Sequence, residues 1–141
     1  MGTTIRPELS KNNKYYVSKH RYYELKHHCL QYPTWKKAYD SLGLSIINSN
    51  HNVLVTNKDK THVTDPTSRI ALQMLYYSNR MQLIDRVAKD TDSELAHYIL
   101  RAVTENLSYT YLSQTLNMPC SRDTYYDRYR RFFWLLNRAR D

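Results

Sequence analysis

Apolar side chains return every third or fourth residue along most of this chain, a rhythm that predicts helices. Behind Ser18, a residue suited to an N-cap, Tyr22, Leu25, Cys29 and Tyr32 recur at that spacing until Pro33 interrupts. Pro33 is suited to open a second, short helix with Trp35, Ala38 and Leu42 inward, and Gly43 is placed to end it. The opening residues are polar and include Pro7, so 1–17 reads as a flexible or loosely docked arm before the helical segment 18–43. Residues 44–64 lose the rhythm and are rich in Ser, Asn, His and Thr. They read as a connector, with Val53-Leu54-Val55 as the place for a short strand.

Asp65-Pro66 restarts the helical text, an N-cap followed by the proline favoured in a first turn. Ile70, Met74, Tyr77, Met81, Ile84 and Ala88 then step by four and three alternately, and Leu72, Tyr76, Leu83 and Val87 form a second apolar line beside them. A helix with two such lines needs cover on more than one side. The first line suits either the spine of the monomer or a coiled-coil-like seam, which makes Ile70, Met74, Tyr77, Met81 and Ile84 the candidate oligomer interface. Thr91-Asp92-Ser93-Glu94 matches a capping box for the next helix, with Leu95, Ile99, Ala102 and Val103 inward and an end near Glu105-Asn106.

The last third reads as a helix-turn-helix. Ser108 caps a short helix with Leu112 and Leu116 inward, Asn117-Met118-Pro119-Cys120 turns the chain, and Ser121 caps a longer helix. In that helix Tyr125, Tyr129, Phe132 and Leu136 share one face. Arg122, Asp123, Tyr126, Asp127 and Arg130 lie roughly opposite, flanked by Arg128 and Arg131. The fold class expected is therefore all-α: N-terminal helices, a long central helix, and a C-terminal helix-turn-helix within residues 65–141.

Charge gives this pattern a direction. Lysine and arginine outnumber aspartate and glutamate by 21 to 13, a formal net charge of +8, which favours a polyanionic partner. A basic helix behind a tight turn is what major-groove reading requires. Candidate DNA contacts are Ser121, Arg122, Thr124, Tyr126, Arg128, Arg130 and Arg131. Ser121 and the helix start suit a backbone phosphate, Arg122 and Thr124 suit bases or phosphates, and the later arginines suit phosphates. Asp123 and Asp127 oppose phosphate, unless they accept from cytosine or hold neighbouring arginines in place.

Other chemistries are poorly represented. With Gly2 and Gly43 as its two glycines, the chain has no phosphate-cradling loop. Cys29 and Cys120 lie far apart, outside any C-x-x-C pair, which fits a reduced setting. His27 and His28 beside Cys29 invite a zinc reading, but adjacent histidines on a helix diverge by about 100°. No metal or cofactor is expected. The 14 tyrosines, several in adjacent pairs, suit a core with one member of each pair at its rim. No nucleophile, base or paired carboxylates fall at catalytic spacing, so no enzyme is expected. Without a leader-like or membrane-spanning apolar run, a cytoplasmic protein free of the membrane is expected.

The C-terminal segment resembles the region-4-like helix-turn-helix of sigma factors. The layout as a whole resembles the RinA and ArpU group of phage late-gene transcriptional activators. The matching elements are Tyr32-Pro33 before the connector, the helix following Asp65-Pro66-Thr67, and Ser121 through Leu136. The turn departs from that pattern in being longer, with Pro119-Cys120 before the cap, and the last helix is unusually rich in tyrosine and tryptophan. The resemblance implies a sequence-specific transcriptional regulator of phage or prophage type. Such a protein acts in a bacterial host as a homo-oligomer on double-stranded DNA, with RNA polymerase or another nucleic-acid enzyme as a further partner. Two other functions suit a small basic helical protein: an anti-CRISPR-like inhibitor of a host nucleic-acid enzyme, and a small terminase-like packaging subunit.

Overall fold

A computed structural model describes residues 11–53 and 65–140. They form α1 (Lys19–Leu30), α2 (Tyr32–Val53), α3 (Pro66–Thr91), α4 (Ala96–Glu105), α5 (Tyr109–Gln114) and α6 (Arg122–Ala139). The fold is all-α, with no strand among the described residues. The chain divides into two compact units. The first combines the residues up to Tyr32 with those from Leu83 onward, and the second is Pro33–Gln82. This grouping corrects the division expected from sequence, because α1 belongs with the C-terminal helices while α2 does not.

In the first unit α1 packs on both α4 and α6, and α4 also meets α5 and α6. Tyr22, Leu25 and Cys29 from α1 are buried with Ile84, Val87 and Ala88 from the end of α3. Ile99, Ala102 and Val103 of α4, Leu112 of α5, and Tyr125, Phe132, Phe133 and Leu136 of α6 complete the core. Phe133, one residue past the face expected for α6, is fully buried because α1 lies there: its ring stands 5.1 Å from that of Tyr22. Both polar tips in this aromatic layer are satisfied, since the Tyr22 and Tyr129 hydroxyls are 2.7 Å apart. The segment before α1 is not a loose arm over its described part. Tyr15 and Val17 are buried, and Tyr15 stands against Trp134 of α6 at 5.5 Å between ring centroids. Residues 1–10 of that arm lie outside the described residues.

Several helix ends follow their local chemistry. Asp65 Oδ1 accepts from the Thr67 N–H at 3.1 Å ahead of Pro66, and the Ser108 hydroxyl accepts from the Tyr111 N–H at 3.1 Å. Asn106 closes α4 with φ 57°, a left-handed conformation that asparagine tolerates. The expected capping box at Thr91 does not form. Thr91 is the last residue of α3, and its hydroxyl donates back to the Val87 carbonyl at 2.7 Å. Asp92 does the capping instead, accepting from the Glu94 and Leu95 N–H groups at 3.0 and 3.1 Å.

Gly43 does not end α2, which continues to Val53, so residues 44–53 are helix and not connector. Its φ is not positive, so no left-handed turn forms there. Met74 of α3 takes the space beside it, its Cε 3.6 Å from where a Cβ would stand. Polar residues beyond are absorbed into the helix, as where the Ser45 hydroxyl donates to the Ser41 carbonyl at 3.1 Å. Val53 ends α2, while Leu54 and Val55 of the expected strand lie outside the described residues. In α3 the proposed oligomer seam turns inward: Ile84 is in the first unit's core, and Ile70, Met74, Tyr77 and Met81 are half-buried.

Phe133→Ala should cost about 3–5 kcal/mol in denaturant unfolding, the range for emptying a buried aromatic site. Gly43→Ala should stabilise α2 by roughly 0.5–1 kcal/mol, because the new methyl meets Met74 at ordinary contact distance and removes helix-interior glycine entropy. A higher midpoint in the helical circular-dichroism melt would record it.

Candidate nucleic-acid interface

Short α5, a turn and α6 form the arrangement expected from Ser108 onward, and its geometry comes from particular backbone groups. At the end of α5 the Thr115 and Leu116 N–H groups both donate to the Tyr111 carbonyl, at 2.9 and 3.3 Å. Asn117 then takes φ 55°, and Met118 folds back with its N–H on the Leu112 carbonyl at 3.0 Å. Met118 is buried and pins the turn, while Pro119 is exposed. Ser121 caps α6 as its position implies, accepting from the Thr124 N–H at 3.2 Å and donating to Thr124 Oγ1 at 2.9 Å. Its hydroxyl therefore already has work within the cap, which narrows the part it can play toward a phosphate.

The seven predicted contact residues do not make one continuous surface. Ser121, Arg122 and Asp123 are exposed at the first turn, and Thr124 and Tyr126 are half-buried beside them. Arg122 lies over two tyrosine rings, 5.3 Å from the centroid of Tyr126 and 5.8 Å from that of Tyr109. A guanidinium held over aromatic faces loses little further freedom on meeting a ligand. Tyr109, from α5, is the functional side chain that the sequence pattern missed. Its location next to the Ser108 cap marked it as an entry residue, not as a platform.

Arg128 is occupied elsewhere. Its Nε donates to Asp92 Oδ2 at 2.9 Å and its Nη1 to Asp127 Oδ2 at 2.5 Å. Asp127 thus holds an arginine in place, one of the two roles open to it from sequence. Burial alone would raise the Asp92 carboxyl, but the Arg128 hydrogen bond and the Leu95 and Glu94 N–H groups outweigh it and hold the acid below its ordinary value. Arg130 and Arg131 are half-buried, with Arg131 Nη1 3.4 Å from the Tyr15 hydroxyl. Further along α6, Arg138 stacks on Trp134 at 4.7 Å. The docked segment around Tyr15 therefore covers part of the outer side of α6, and the exposed part is its N-terminal turn.

The remaining chemistry is structural. Burial pushes the Cys29 thiol up to about 12, so it is inert as a nucleophile at neutral pH. Cys120 is also a free thiol. His27 is exposed while its neighbour His28 is buried, and no group of three potential metal ligands occurs among the described residues. Tyr15, Tyr22 and Tyr125 are buried while Tyr16, Tyr23 and Tyr126 stand at the rim, the division expected for adjacent pairs. No helix among the described residues is long and apolar enough to cross a membrane.

Because the folded Asp92 carboxyl ionises below its unfolded value near 4, its contribution is complete above that value and is lost as pH falls through the folded one. Asp92→Asn keeps a cap acceptor but loses the ion pair. It should cost roughly 0.5–1 kcal/mol at neutral pH and flatten the acid limb of the stability profile measured by denaturant unfolding. Identical acid limbs in the two proteins would refute this role for the carboxylate. No family model, curated protein or solved structure matches the chain, and its own geometry carries the functional reading.

Proposed function

We propose that this chain is a sequence-specific binder of double-stranded DNA that enters the major groove with the N-terminal turn of α6, acting as a phage-type transcriptional regulator. One observation carries the reading: Arg122 is displayed over Tyr109 and Tyr126 at the exposed start of a helix whose rear is packed into the core. Base edges are met by the first residues of a recognition helix, and this is where α6 is uncovered. Thr124 and Tyr126 flank Arg122 as the other groove-facing groups, and Arg130 lies next along the helix toward the phosphates. Arg128 acts as an internal strut rather than a contact. The net charge of +8 supplies the long-range attraction to a polyanion. The regulatory role rests on the layout shared with phage late-gene activators.

Binding to a randomised duplex library at several salt concentrations tests the proposal. The wild-type chain should select a motif, with affinity falling steeply as salt rises. Arg122→Ala should weaken binding to the selected site by about 1–3 kcal/mol and relax preference at one position. Arg128→Ala should lower stability and leave the salt slope of the folded protein unchanged. Binding that is absent, or blind to sequence and indifferent to Arg122, would overturn the reading.

A further inference from the structure

The second unit presents a surface of a different kind. Residues 41–48 of α2 and 70–79 of α3 contain no charged side chain. Yet Leu44, Ile47, Leu72, Leu75 and Tyr76 are 63, 58, 66, 54 and 52% exposed. In this stretch α3 is apolar around its whole circumference: Met74 reaches toward Gly43, while Leu72 and Leu75 stand exposed. A helix of that composition belongs in an interior. The two helices also leave gaps between them. One cleft of about 460 Å³ lies along Ala38, Ser41 and Tyr77, and another of about 280 Å³ lies along Tyr39, Ala71 and Ser78. Side chains in a finished core interdigitate without voids of this size.

We propose that the α2–α3 pair is a self-association module on which the α2–α3 pair of a second copy packs, completing a four-helix bundle. Charge argues for a second copy as the occupant. Two chains of net charge +8 repel one another, so they can meet only where charge is missing, and a charge-free centre is the mark of an interface core. The available area agrees. At about 100 Å² for each large apolar side chain, the five exposed residues supply about 500 Å² per copy. With the cleft rims added, this approaches the roughly 800 Å² per partner of a standard interface. The contact residues are the outward line, Leu72, Leu75 and Tyr76 with Leu44 and Ile47, in place of the inward Ile70–Ile84 seam expected from sequence.

Sedimentation velocity of the full chain tests this, with Leu72→Glu/Leu75→Glu as the disrupting variant and Ile47→Glu as an independent one on α2. The wild type should sediment at twice the chain mass at micromolar concentration. Each variant should keep wild-type helicity and weaken the dimer at least about 100-fold, as burying unpaired charge at an interface core requires. A wild-type chain that is monomeric throughout, or a dimer indifferent to both variants, overturns the proposal. A monomer that floats with neutral phosphatidylcholine vesicles assigns the surface to lipid and overturns it equally. Duplex binding by α6 is read separately, so failure of either proposal leaves the other standing.

Discussion

The contact on which the first unit depends is the aromatic layer between α1 and α6. Tyr22 meets Phe133 edge to face and shares a hydrogen bond with Tyr129, while Phe132 and Phe133 stand perpendicular at 5.1 Å. These are the largest side chains in the core, and burying each contributes more than any exposed ion pair can. The layer also explains the abundance of tyrosine: a ring fills the space between helices while its hydroxyl finds a partner or reaches the rim. With α1 clamped this way, α6 is presented at a set angle and the start of the helix is left uncovered.

A polar strut reinforces that presentation. Asp92 caps the entry to α4 and at the same time holds Arg128 on α6, so one carboxylate ties the α3–α4 corner to the helix that carries Arg122. Asp127 shares the same guanidinium. An acidic pair that looked unfavourable for a polyanion partner is thereby partly neutralised within the protein. The cost falls on the basic surface, since one of the arginines counted toward phosphate binding is spent internally.

The second unit is built on the opposite principle. Its helices meet through long side chains with clefts between them, and its apolar residues face outward as well as inward. In the first unit, helices on several sides cover every large apolar face. A pair of helices alone cannot do so, and the uncovered area is the physical reason for seeking a partner there.

The sequence by itself determined the all-α class, the caps at Asp65, Ser108 and Ser121, the left-handed exit at Asn106 and the Asn117 turn. All of these depend on residues within a few positions of one another, where backbone geometry and local hydrogen bonds dominate. Tertiary structure alone decided what depended on distant partners. Gly43 resembled a terminator because nothing nearby in sequence shows Met74 beside it. Thr91 resembled a cap because Arg128, which helps to hold Asp92, lies 36 residues away. The two apolar lines of α3 were legible, but periodicity is blind to which one another helix covers, so the inward seam was read as the interface. Likewise, the exposed start of α6 and its covered outer side follow from where Tyr15 and α1 dock, and no local pattern encodes that.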